Sequence, residues 1–267
     1  MEKTKILFVS QEITPYLPET EMSKIGRYLP QGIQELGKEI RAFMPRYGLV
    51  NERRNQLHEV IRLSGMNIII DDTDHSLIIK VASIQSARMQ VYFIDNEDYF
   101  HRKNMFADNE DDFFKDNDER AIFFSRGVLE TVKKLRWSPD IIHCHGWITS
   151  LIPLYIKKAY HDDPLFQDSK VVYSVYDDDF KTNLDANFRK KLKFDNINSE
   201  DTKIVTDASF LNLSKLAINN ADAIIKGSPN IDKSLDEYIN NLKKPVLDYK
   251  SEEEYVNSYS EFYDKLI

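Results

Sequence analysis

The chain has 267 residues, 42% of them hydrophobic and 30% charged, which is the balance of an ordinary globular protein with enough length to bury a substantial core. Its formal charge of −8 excludes nucleic acid as an expected partner, because phosphate recognition needs a basic stripe and the densest clusters here are only Arg53-Arg54 and Arg189-Lys190-Lys191. The single cysteine, Cys144, rules out an intramolecular disulfide, and the apolar run 6–9 is too short for a signal peptide or a membrane span, so a cytoplasmic protein without membrane contact is expected.

Residues 5–10 are a continuous apolar run ending in polar residues, as in the central strand of a parallel sheet. A loop over 11–20 with Pro15 and Pro18 leads to a helix predicted over 21–36, with Met22, Ile25, Leu29, Ile33 and Leu36 on one face, a kink at Pro30 and a stop at Gly37. Residues 39–44 read as the second strand, followed by a turn over 45–48.

From 58 to 95 the pattern changes to short alternating strands over 60–63, 67–70, 77–81 and 89–94, an antiparallel meander inserted in the series. Its acidic run Asp71-Asp72-Thr73-Asp74 lacks the glycine and distal glutamate of a calcium loop and reads as a solvated turn. An acidic connector over 108–118 offers Asn117 or Asp118 as the cap of a helix over 119–135.

Residues 140–144 form the next strand. Ile141 and Ile142 point to opposite faces, so both faces must be covered, which favours a parallel sheet. From Trp147 the period becomes helical, with Thr149 or Ser150 near enough to a cap for Pro153 to be tolerated. In a doubly wound sheet the joint 145–148 opens at the carboxyl end of a strand, where ligands bind. Residues 170–176 are another buried strand ending in Asp177-Asp178-Asp179; 185–201 are polar and irregular or partly helical. A helix over 209–220, a strand over 221–225 and helices over 232–242 and 251–266 complete the series. His143-Cys144-His145 offers two histidines on one face; a buried structural pair is expected there, with no metal and no cofactor.

The residues of the central joint carry a resemblance. His143, His145, Trp147, Thr149, Leu151, Pro153 and Tyr155 match the His-x-His-Asp-Trp-His-(Thr/Ala)-x-Leu-x-Pro-x-Tyr segment that is similar across bacterial glycogen and starch synthases, the family-5 glycosyltransferases of the GT-B fold. Met44-Pro45-Arg46-Tyr47-Gly48 resembles that family's Met-Pro-x-Tyr-Gly junction, and Ala221, Asp222, Ser228 and Pro229 match a further segment. The resemblance implies an α/β fold: a Rossmann-like, doubly wound, mostly parallel sheet with the 58–95 meander inserted, one domain over 1–267 equivalent to the N-terminal half of a GT-B enzyme, and 251–267 as a capping helix. It also implies a sugar or ligand cleft at Tyr47, His143, His145, Trp147, Thr149, Tyr176 and Asp177.

The departures from the family concern its chemistry. Pro18, Glu19, Thr20 and Glu21 stand where the family has the Lys-Thr-Gly-Gly that admits a nucleotide diphosphate, Gly146 replaces the acceptor-site Asp, Ile148 a His, and Tyr176 the His that contacts the transferred glucose. No βα series remains for a second Rossmann-like domain within these residues. The expectation is a domain related to ADP-glucose:α-1,4-glucan glucosyltransferases, catalytically degenerate, with no catalytic residue assigned. Its expected partners are a sugar or α-glucan, another protein of glycogen metabolism, or a chain supplying the other half of a split transferase. Gly146→Asp, Ile148→His and Tyr176→His together are expected to restore a polar sugar pocket.

Overall fold

The computed structural model describes residues 3–193 and 196–267. In chain order the elements are β1 (Lys5–Ser10), α1 (Glu21–Glu35), β2 (Glu39–Pro45), β3 (His58–Glu59), β4 (Met66–Ile70), β5 (Thr73–Ile84), β6 (Met89–Asp95), α2 (Glu97–Phe100) and α3 (Asn117–Leu135). They continue with β7 (Ile141–His145), α4 (Leu151–Lys158), β8 (Lys170–Val175), α5 (Phe188–Lys191), α6 (Phe210–Asn220), β9 (Ala223–Lys226), α7 (Lys233–Asn240), β10 (Val246–Leu247) and α8 (Tyr255–Asp264).

The strands form one ten-stranded sheet in the order β10-β9-β8-β7-β1-β2-β6-β5-β3, with β4 paired on β5. From β10 to β6 every pairing is parallel, and β5 pairs antiparallel with β6, β3 and β4. Residues 6–9 of β1 and all of β7 are buried, as central strands covered on both faces require. The chain leaves β1 toward β2 and β6, then returns to the other side of β1 with β7, β8 and β9. The order therefore reverses between β1 and β7. Loops diverge at such a switch point, and the crevice they leave at the carboxyl ends of the strands is where ligands bind in open α/β sheets.

The mostly parallel α/β architecture is the expected one, with several local differences. Residues 60–63 make a turn, Leu63 and Ser64 both donating to the Val60 carbonyl at 2.9 and 3.1 Å, and Ile61 is 75% exposed. A four-residue, mostly apolar run does not separate a strand from a tight turn. β5 runs for 12 residues, and β6 is continuously buried from Val91 because it joins β2 in the parallel sheet. The acidic turn is a two-residue hairpin with Asp71 and Asp72 both left-handed (φ 43° and 64°), and Asp71 pairs with Lys190 at 3.0 Å. α1 runs unbroken through Pro30. Ser150 stands at the N-cap of α4, as expected, but its side chain makes no capping hydrogen bond; residues 147–149 form a 3₁₀ turn and the Thr149 hydroxyl donates to the Gly146 carbonyl at 2.7 Å. α8 starts at Tyr255, and the two-residue β10, preceded by Pro245, carries too short a pattern to be read from sequence. Of the irregular segment 185–201, Phe194 and Asp195 lie outside the described residues.

Candidate functional site

The first shaping element is the entry to α1. Thr20 is its N-cap: the hydroxyl accepts from the Ser23 amide at 3.0 Å, and the Ser23 hydroxyl accepts from the Thr20 amide at 2.8 Å. This reciprocal capping box satisfies donors that a helix N-terminus otherwise offers to an anion. The Thr20 hydroxyl also donates to Glu12 Oε2 at 2.7 Å, which ties the helix start to the residue just beyond β1. Glu12 is buried, and its other oxygen accepts from Gln11.

The second element is the turn after β7. Gly146 has φ +86°, and a Cβ there would lie 2.6 Å from the Gln11 Cβ, so the turn requires glycine for its backbone and for the approach of Gln11. Gln11 donates its backbone amide to the His145 carbonyl at 2.9 Å, and its side-chain oxygen accepts from the Ile148 amide at 3.4 Å. The Trp147 amide donates to Asp178 Oδ2 at 3.0 Å, joining the ends of β7 and β8.

Between these ends lies a cavity of about 510 Å³ whose walls include Glu12, Thr20, Glu21, Tyr176, Asp177 and Asp178, closed on the β9 side by Ser228, Pro229 and Asn230. Four carboxylates line it, and none of its lining residues is basic. Burial pushes the Asp178 carboxyl up to about 7; the Trp147 amide pulls it back, and the Glu12 carboxylate adds to the rise. Such a surface repels a pyrophosphate and accepts hydrogen bonds from hydroxyl groups.

Of the residues expected in the cleft, Tyr176 and Asp177 line it. The Tyr176 ring packs where a Cβ on Gly227 would come within 2.7 Å, and its hydroxyl meets His145 Nδ1 at 2.8 Å. The other five expected residues are buried behind the cleft. His143 holds the Tyr263 hydroxyl at Nδ1 and the Ser174 hydroxyl at Nε2, both at 2.7 Å, and its ring lies 3.8 Å from that of His145. Both imidazoles are held neutral: burial drives His143 well below its ordinary value and His145 down to about 3. Trp147 is enclosed by Phe106, Phe113 and Phe180. Tyr47 sits edge-on to Phe100 and Phe106, and Thr149 is fully buried. Tyr47, Trp147 and Tyr176 therefore form no shared stacking platform. Glu12 and Asp178 escaped the sequence reading as site residues, although each stands within three residues of the carboxyl end of a central strand.

Among the described residues the cluster with metal-ligand spacing is Glu52, Asp95 and His101. It already holds a cation, since the Lys80 ammonium lies 2.6 Å from Glu52 and 2.8 Å from Asp95, and Arg46 also pairs with Glu52. Helical circular dichroism should therefore be unchanged by excess EDTA; a chelator-induced loss of signal would contradict this reading of the network.

Comparison with known proteins agrees with this fold. Residues 5–241 match the family model described as starch synthase catalytic domain. The chain belongs to that family. Among curated members, glycogen synthase of Chlorobium limicola is 41% identical over 174 residues, covering 64% of this chain and 35% of that protein. Glycogen synthase of Chlorobium phaeovibrioides is 34% identical over 226 residues, covering 84% of this chain and 46% of that protein. The chain thus spans less than half the length of these relatives. The catalytic domain of starch synthase IV from Arabidopsis thaliana, bound to ADP and acarbose, superposes with a TM-score of 0.73 at 16% identity, covering 92% of this chain and 51% of that one, and so shares the GT-B half-fold. In this member of the family His143, Trp147 and Thr149 are buried, while the cleft walls carry carboxylates. No helix among the described residues is long and apolar enough to cross a membrane.

Proposed function

We propose that this starch-synthase-family domain binds a neutral sugar or α-glucan in its switch-point cleft and does not take ADP-glucose there for transfer. The observation that carries the reading is the entry to α1: the Thr20 and Ser23 amides are taken up by the capping box and the helix start is flanked by Glu12 and Glu21, so a diphosphate meets fewer free backbone donors and no positive charge on the cleft walls. Carboxylates suit vicinal sugar hydroxyls, each accepting from two donors, and a charge-assisted hydrogen bond contributes about 1.5–3 kcal/mol net. The acarbose bound by the starch synthase IV domain supports a sugar as the class of ligand.

The match to about half of that domain favours a second reading, in which another polypeptide segment supplies the opposite wall of the cleft. The two readings share the sugar and differ on turnover. Native gels cast with glycogen test the shared part: retarded migration is expected, and Asp177→Ala with Asp178→Asn should abolish the retardation. Unretarded migration of the parent protein would overturn the sugar reading. An assay of ADP release from ADP-glucose with glycogen as acceptor should give no turnover with this chain; turnover would refute the inactive assignment.

A further inference from the structure

A second cavity, of about 310 Å³, lies on the far side of the α1 N-terminus, between α1 and the segment leading into α8. Thr20 and Glu21 line both cavities, so the two adjoin at the helix start. The remaining surface is of mixed character. Ile25, Tyr249 and Tyr255 supply apolar faces, Lys24 and Lys250 supply donors, and the Tyr249 hydroxyl donates to Glu21 at 2.9 Å, which fixes the rim. Neither the Lys24 nor the Lys250 ammonium has a hydrogen-bond or ion-pair partner among the described residues, and both residues are half-buried. Both ammonium groups are therefore free to donate to a ligand seated beside the tyrosine rings.

We propose that this groove is a second carbohydrate subsite, and that one oligosaccharide runs from the switch-point cleft across the α1 N-terminus onto Tyr249 and Lys250. The proposal rests on the sugar reading of the cleft for its direction but, apart from the shared Glu21, on separate residues for its contacts. A pyranose ring matches the lining: its C–H face packs on tyrosine, while its hydroxyls donate to Glu19, Glu21 and Glu252 and accept from the two lysines. A phosphorylated ligand matches less well, because three carboxylates outnumber two ammonium groups on the same walls. The volume is at the lower end of the roughly 300–1,000 Å³ typical of ligand pockets, room for a short stretch of sugar rather than a whole glucan.

The test is isothermal titration at pH 7.5 with maltose, maltotriose and maltoheptaose, and with inorganic phosphate. The parent protein should bind maltoheptaose about tenfold more tightly than maltose, the gain expected from one or two additional net hydrogen bonds. Tyr249→Ala and Lys250→Ala, each changing a side chain outside the core, should cut that chain-length gain to about twofold, the remainder after loss of one such contact. An undiminished gain in both variants would overturn the second subsite. Phosphate binding that Lys250→Ala abolishes would overturn the neutral-ligand assignment. Asp177→Ala separates the two ideas: if it leaves maltose binding intact while Tyr249→Ala weakens maltoheptaose binding, the cleft reading fails and the groove stands. Loss of maltose binding on Asp177→Ala, with an unchanged chain-length gain in Tyr249→Ala and Lys250→Ala, leaves the cleft standing and overturns the groove.

Discussion

Gly146→Asp should destabilise the domain by about 2–4 kcal/mol, the combined cost of a left-handed backbone for an L-residue and of overpacking a closed turn. The expectation follows from φ +86° at Gly146 and from the Gln11 side chain, whose Cβ, carboxamide carbon and oxygen all lie within 3 Å of the position a Cβ would take. Gln11 cannot simply swing away, because its oxygen accepts from the Ile148 amide and its backbone amide is bonded to His145. Removing the side chain should help: Gln11→Gly in the Gly146→Asp background is expected to recover part of the loss, since it removes the collision with the Cβ and the carboxamide and leaves the backbone strain. Urea melts read both values as shifts in midpoint at constant slope. A Gly146→Asp variant within about 0.5 kcal/mol of the parent would show that the turn relaxes freely. The three-residue restoration of a polar pocket, plausible from sequence, therefore begins with a loss of stability at its first step.

Stability should also fall as the pH is lowered from about 6.5, with a slope set by buried groups of opposite sign. His143 and His145 have folded pKa values depressed below the ordinary value, so they oppose folding once the unfolded chain begins to bind their protons. Each costs up to about 1.4 kcal/mol per pH unit from about pH 6.5 downward until its folded pKa is reached. Asp178 acts the other way. Its folded pKa is raised to about 7, so it favours folding most below the ordinary carboxylate range and loses that contribution as the pH rises through its folded value. Between about pH 6.5 and 4.5 the two histidines outweigh the one carboxyl, so stability falls as acid is added. Asp178→Asn removes the compensation while keeping an acceptor for the Trp147 amide, so its stability should fall more steeply with acid, by about 1.4 kcal/mol per pH unit. Equal slopes for parent and variant between about pH 4.5 and 6.5 would contradict the assignment.

The sheet was legible in the sequence wherever a strand was buried on both faces, as with residues 6–9 and 141–145, because continuous apolar runs joined to helical periods admit few other readings. The meander was less legible. β6 belongs to the parallel sheet while β5 continues past it toward the hairpin at Asp71-Asp72, and short alternating runs do not reveal which neighbour a strand chooses. The candidate site divides in the same manner. His143 and His145 mark the joint correctly, yet a strand side chain can face the cleft or the core, and here the histidines turn inward to the hydroxyls of Tyr263, Ser174 and Tyr176. The partner Tyr263 comes from α8, 120 residues away, which no local pattern signals. Glu12 and Asp178 were hidden for the opposite reason: an acidic residue in a loop is ordinarily solvated, and only the topology brings these two to one wall.

An exchange of phosphate recognition for hydroxyl recognition in the cleft is tested most directly by isothermal titration of one preparation, at pH 7.5 and moderate salt, with ADP-glucose and with maltoheptaose. Binding of maltoheptaose with a dissociation constant at or below about 1 mM, some 4 kcal/mol, and no saturable heat with ADP-glucose is the expected result. Micromolar binding of ADP-glucose, with or without the glucan, would contradict it.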